Sequence, residues 1–293
     1  MAIDQARIQK PLSKLRKLVK HAPKAPPPDE LHKLRTNARK LEARLSALLL
    51  GTGRTERKLL RQVRKIRKRA GKVRDLDVLT EYLTDTRVEG EENCRLQLME
   101  YFGSKRIKRA SELYSFIDKR RADLKSQLRK ASSRIGNFLT NEEPEASVLA
   151  TARALQLSSE LLAPKRLTRK NLHRYRLTAK KLRYILQLAP GTSDAKLMQA
   201  LAETKDAIGK WHDWEEMIAV ATDVLDHGSK CQLIRTFRAI RDSKFREAVR
   251  FAEQLRSTFL NTSAKKSNES VRLGPAAINA AATLGSEENH QVA

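Results

Sequence analysis

Apolar residues recur at intervals of three and four along nearly the whole chain, and that spacing predicts one helix after another. Ile8, Leu12, Leu15 and Val19 define a short first helix. Prolines between Pro23 and Pro28 break it, and Asp29 stands where it can cap the next one. That next helix carries Leu31, Leu34, Ala38, Leu41, Leu45 and Leu48 on one stripe and ends at Gly51-Thr52-Gly53. Between residues 54 and 74, Leu59, Val63, Ile66, Ala70 and Val73 continue the pattern. A long helical stretch is expected over about 91–139, and a further helix up to Ala163, where Pro164 stops it. Thr168 or Asn171 starts another, through Leu172, Tyr175, Ala179, Leu182, Leu186 and Ala189 to Pro190-Gly191. Two more are expected over 194–227 and 230–260. The chain reads as all-α.

The polar positions add a second pattern. On the helix from Leu172 to Tyr184, His173, Arg176, Lys180 and Arg183 fall on a stripe that borders the apolar one, with Lys181 beside it. Cations that border a core, instead of standing opposite it, can line a groove between helices. The same writing occurs earlier, where His32, Arg35 and Arg39, followed by Lys40, border the stripe that begins at Leu31. Leu31 and Leu172 lie 141 residues apart. A second pair, Gly71-Lys72-Val73-Arg74-Asp75-Leu76-Asp77 and Gly209-Lys210-Trp211-His212-Asp213-Trp214-Glu215, is offset by 138. Two motifs repeated at nearly one offset indicate a duplicated helical unit. One position diverges: Glu42 stands in the first copy where Arg183 stands in the second.

These two duplicated motifs, L-H-x-x-R-x-x-x-[RK]-[RK]-L and G-K-x-x-D, resemble those of the CHAD family of helical domains named for conserved histidines. The resemblance covers about residues 8–260. It implies an internally duplicated pair of antiparallel helical bundles with pseudo-two-fold symmetry around a basic central channel, and it implies binding of inorganic polyphosphate there. The domain is placed at 6–260, one half at about 6–140 and the other at about 144–260, with Asn141-Glu142-Glu143-Pro144 as the boundary. From Asn261 onward the composition changes to Asn, Ser, Thr, Ala and Gly without net charge, which reads as a disordered tail.

Charge sharpens the expected partner. The 293 residues carry 60 Lys and Arg against 34 Asp and Glu, a net +26, which repels itself unless a polyanion is at hand. Residues 54–74 alone hold eleven Lys and Arg with one acid, Glu56. Arg54, Arg57, Arg61, Arg64, Lys65, Lys68 and Lys72 share one face there and lack the acids that form i, i+4 pairs on a solvated helix. The expected phosphate contacts are therefore that face together with His32, Arg35, Arg39, Lys40, His173, Arg176, Lys180, Lys181, Arg183 and Lys210. Arg grips two oxygens with a planar fork and Lys supplies a compact charge. His32 and His173 fit two roles, ligand contact or hydrogen-bonded support of the helices.

Nucleic acid is the alternative partner, being a polyanion too, but aromatic residues at 5% provide few stacking platforms for single strands. Catalysis is not expected. His212-Asp213 lacks the further His and Asp ligands of a metal-dependent phosphohydrolase, and the E-x-E-x-K pattern of the triphosphate-tunnel domains often joined to CHAD domains is absent. No cofactor or metal is expected, because Cys94 and Cys231 are too few and too far apart in sequence for a zinc site or a disulfide framework. Without an apolar span long enough to cross a membrane, the expected location is the cytoplasm, at polyphosphate granules.

Overall fold

A computed structural model describes residues 5–47, 53–141, 143–188, 194–226 and 231–261. Leu48, Gly51-Thr52, Glu142 of the inter-half boundary, Ala189, Pro190-Gly191 and the tail beyond Asn261 lie outside these. The described residues are all-α, without a strand: α1 (Gln5–Lys20), α2 (Pro28–Ala47), α3 (Arg54–Asp85), α4 (Glu92–Asp118), α5 (Arg121–Asn141), α6 (Glu143–Leu162), α7 (Arg169–Leu186), α8 (Ala195–Val224) and α9 (Gln232–Leu255), the last running into a π-helical turn, Arg256–Leu260. The apolar stripes read from the sequence form the core. Leu31, Leu34, Ala38, Leu41 and Leu45 of α2 are buried, as are Leu172, Tyr175, Ala179 and Leu182 of α7 and Leu59, Val63, Ile66, Ala70 and Val73 of α3.

The order of packing repeats. α2 lies between α1 and α3, which in turn packs on α4; α7 lies between α6 and α8, which packs on α9. The copies meet through α2 against α7 and α3 against α8. Equivalent arginines close equivalent helix ends. Arg121 donates to the carbonyls of Val19 and Lys20 at the end of α1, and Arg256 to those of Leu162 and Pro164 at the end of α6. Both satisfy last-turn carbonyls that have no partner inside the helix. The start of α7 is sharply set, with Thr168 as N-cap and Asn171 Oδ1 accepting the Thr168 backbone N–H at 2.8 Å.

Two expectations are corrected. The long helical stretch expected over about 91–139 is divided into two helices, α4 and α5, that turn at Lys119-Arg120. No proline or glycine marks the turn; it is made because α5 folds back to pack on α1, with Arg121 bonded to the α1 end and to Asp118. In the second copy the corresponding chain continues from α9 through the π-helical turn. The two cysteines, judged too far apart to act together, are adjacent. α3, α4, α8 and α9 form a second core at their far ends, in which Leu83, Phe102, Trp214 and Phe237 are buried. Tyr82 stacks on Trp214 there at 4.9 Å, and both cysteines are buried in the same cluster.

Candidate anion-binding cleft

The repeated motifs fold onto each other. In the first copy, Arg35 of α2 lies over Gly71 of α3, where a Cβ would sit 3.7 Å from its Nε, and pairs with Asp75 one turn on, at 3.0 Å. In the second, Arg176 of α7 lies over Gly209 of α8, tightly enough that a Cβ would come 2.7 Å from its Nη2. Arg176 also donates from Nε to the Lys205 carbonyl at 3.3 Å. The second acid of each motif is used alike: Asp77 holds Arg106 of α4 at 2.6 Å, and Glu215 faces Arg241 of α9 at 3.6 Å. The glycine removes a side chain so that a guanidinium can reach the helix, and the acids fasten the neighbouring helices. Arg74-Asp75 is thus no pair in itself, since Asp75 serves Arg35 while Arg74 approaches Glu81 at 3.9 Å.

Where α2 and α7 face each other, with α3 and α6 as walls, a cleft of about 290 Å³ opens. Among the described residues its lining includes Arg39, Arg64, Arg67, Arg153, Lys180 and Lys181, six basic side chains against the single carboxylate of Glu42. Glu42 does not oppose the others freely. Its two oxygens accept from Arg64 Nε at 2.8 Å and Arg67 Nε at 2.7 Å, which holds both arginines on the wall. The divergence from Arg183 therefore converts one copy's cation into an anchor for two cations of α3.

Burial and mutual repulsion strain the charge in this cleft. Burial, with Arg35 close by, pushes the Arg39 guanidinium down to about 10. Lys180 is buried, and burial, then Arg39, Arg176 and Arg35, push its ammonium down to about 5, so it is neutral at pH 7. Burial also lowers Arg176 below its ordinary value, against the pull of Asp213. Asp213 in turn is raised to about 6, chiefly by burial. A bound polyanion would reverse the direction for Lys180, since a nearby anion favours the charged form.

The histidines diverge between copies. The His173 ring lies 4.6 Å from the His212 ring, and its Nδ1 is buried without a hydrogen-bond partner. His32 is exposed, with Thr36 Oγ1 at 3.4 Å from Nε2, and feels Arg74 where His173 feels His212. All three rings are lowered below the usual imidazole value first by burial, and then by Arg74 at His32, His212 at His173 and Arg176 at His212.

The other expected contacts are spread out. Lys40 senses Arg44, Arg183, Lys14 and Lys10, which places it on the α1 side of α2. Arg57 and Arg61 line a groove with Arg54 and Arg64 on the outside of α3. Lys68 and Lys72 line another with Arg69, Arg109 and Glu112, between α3 and α4. Lys65 is exposed on α3, and Lys210 is exposed on α8, near Glu247 of α9, a carboxyl lowered chiefly by the Lys244 hydrogen bond and further by Lys210. Of the expected set, then, Arg39, Arg64, Lys180 and Lys181 share the cleft, with Arg35 and Arg176 adjoining it. Sequence reasoning missed Arg67 and Arg153. Arg67 was within the counted basic run but off its exposed face, and Arg153 stands alone among the apolar residues of α6.

Fold and cleft define an all-helical protein built from a repeated helix set, with a cation-lined groove between the copies. The chain belongs to the CHAD family, whose domain model matches residues 6–222, and binding of polyphosphate is the known property of that family. A solved structure, PptA from Streptomyces chartreusis, shares the fold with a TM-score of 0.64 at 14% identity, covering 87% of this chain and 98% of that one. No curated protein matches the sequence. Among the described residues, no helix is long and apolar enough to cross a membrane.

Proposed function

We propose that the protein binds inorganic polyphosphate in the cleft between its two copies, without turning it over, and acts as an adaptor at polyphosphate granules in the cytoplasm. The single observation that carries this reading is the cleft lining of six basic side chains, five of them charged, against one already paired carboxylate. Arg39, Arg64, Arg67, Arg153 and Lys181 would contact phosphate oxygens, and Lys180 would become charged as the chain enters. Residues one turn apart on a helix are about 5 Å apart along its axis, so the stripes Arg35–Arg39 and Arg176–Lys180 can follow successive phosphates. Binding of this kind reads no base and falls steeply with salt, because it releases counterions. The two halves, about 6–140 and 144–260, would form the two sides of the cleft.

A second reading is duplex nucleic acid held on the outside. It is favoured by the exposed row Arg57, Arg61, Lys65, Lys68 and Lys72 of α3, which a wide polyanion can reach and a narrow cleft does not restrict. Titration of long-chain polyphosphate against duplex DNA of equal charge, in the same salt, separates the two. The cleft reading expects polyphosphate to bind tighter and to displace DNA. Equal affinity would overturn it in favour of the outer face.

A further inference from the structure

We propose that Glu91, Cys94 and Cys231 form a binding site for one soft divalent cation of the zinc class, fastening α4 to α9. The two thiol sulfurs and a Glu91 carboxylate oxygen all lie within 4.8 Å of one another. Cys94 and Cys231 are buried, whereas Glu91 is only half-buried, which leaves one side of the group open to solvent. The residues come from both copies, Glu91 and Cys231 lying 140 positions apart, so only the fold assembles them.

Hydrogen bonding already aims the ligands. Glu91 Oε1 accepts the Gln232 backbone N–H at 2.6 Å, which leaves Oε2 to face the thiols. Oε2 accepts the Cys231 S–H at 3.3 Å, and Cys94 is also hydrogen-bonded to Glu91. A carboxylate oriented by a backbone amide on one oxygen and turned toward two thiols on the other is the arrangement that second-shell contacts produce around metal ligands. With zinc–sulfur bonds of about 2.3 Å and zinc–oxygen bonds of about 2.1 Å, a tetrahedral ion needs its ligand atoms under 4 Å apart, so a small contraction closes the set around it. Binding releases the two S–H protons to solvent and changes no oxidation state. Two thiolates and a carboxylate then exceed the ion's charge by one. The N-termini of α4, capped by Glu91, and of α9, capped by Cys231, both converge here and favour that negative charge. The fourth ligand is a water on the open Glu91 side. A disulfide between the thiols would take both S–H donors from Glu91 Oε2 and leave the carboxylate only its contact with the start of α9.

The site is independent of the polyphosphate reading, because about 27 Å of α3 separates Arg67 on the cleft wall from Asp85 at the second core. Titration of the reduced, metal-free full chain with Co2+ tests it. A sulfur-to-cobalt charge-transfer band that saturates at one equivalent and is displaced by Zn2+ is expected. So is a rise in Tm with Zn2+. The band should vanish in Cys94→Ser/Cys231→Ser, and Glu91→Gln, which keeps an acceptor for the Gln232 amide, should weaken binding about tenfold or more. Should the serine variant fail to fold, protection of both wild-type thiols from a maleimide by stoichiometric Zn2+ tests the same claim. Absence of the band in wild-type protein, its persistence without the two thiols, or unprotected thiols in saturating Zn2+ would each overturn the proposal.

Discussion

α3 and α8 hold the same place in the two copies, and comparing them separates residues that build the fold from residues available to a ligand. Both are long, both present a glycine to an arginine of the preceding helix, and both use acids to hold neighbours, two on α3 and Glu215 on α8. Away from that shared device they part. α3 is overwhelmingly basic and sends Arg64 and Arg67 into the cleft, whereas α8 intersperses Glu203, Asp206, Glu216 and Asp223 and lines no part of it. What the copies share is helix packing; what only α3 has is charge in excess of any internal partner. Glu42 makes the same point, because it exists in one copy and positions two arginines there.

The largest expected effect tests that division directly. Replacing Arg39, Arg67 and Arg153 together by Ala should weaken polyphosphate binding by roughly a hundredfold or more, since each charged hydrogen bond contributes about 1.5 kcal/mol or more. Replacing Arg57, Arg61 and Lys65 removes the same formal charge from the exposed side of α3, and should weaken it less than about fivefold. Equal losses, read by competition binding at one salt concentration, would reduce the cleft to net charge alone.

Next in size is the shared device. Arg176→Ala strips the cation that offsets half-buried Asp213, so a loss of roughly 2 kcal/mol in urea unfolding is expected. Arg35→Ala breaks a pair whose Asp75 is half exposed, and should cost about 1 kcal/mol or less. If the two variants unfold at the same urea concentration, the copies are energetically alike and the deeper burial of the second has no consequence.

Lys180 supplies a test that runs in opposite directions for stability and binding. Its folded pKa of about 5 lies far below the unfolded value of about 10.4, so the unfolded chain binds a proton that the folded one refuses. Its contribution is present above the unfolded pKa and is lost as pH falls toward 5. Lys180→Met should therefore raise Tm at pH 7 and flatten this pH dependence. Polyphosphate reverses the preference, so wild-type protein should take up a proton on binding at pH 7 and bind tighter as pH falls. Calorimetry in buffers of different ionisation enthalpy reads that uptake, which Lys180→Met should reduce. An unchanged uptake would assign the proton to the histidines, whose lowered values lead them to bind protons in the same direction.

The smallest expected effect distinguishes the two glycines. Gly71→Ala meets only an ordinary contact with Arg35 and gains helix propensity, so it should stabilise by up to about 1 kcal/mol. Gly209→Ala puts a methyl group 2.7 Å from Arg176, which is half-buried and held by the Lys205 carbonyl, so that gain should vanish or reverse. Thermal unfolding of both variants measures the difference, and equal shifts would show that Arg176 moves freely.

Much of this protein was legible in its sequence. The stripes of α2, α3 and α7 are buried as their spacing indicated, the offsets of 141 and 138 marked the repeated helix order, and the basic runs pointed to a polyanion. These features are local, set by the 3.6-residue turn and by formal charge. Tertiary packing alone decided the rest. The turn between α4 and α5 carries no breaking residue and arises because α5 docks on α1. Arg64 and Lys72 look alike as members of one basic face, yet one reaches the cleft and the other the groove against α4. Arg153 counts as a cleft residue only because α6 forms a wall, and Cys94 meets Cys231 only because the far ends of α4 and α9 share a core. Periodicity states which side of a helix is apolar. Which neighbour a polar side meets depends on contacts far apart in sequence, and those contacts also set whether a cation is solvated, paired or left for a ligand.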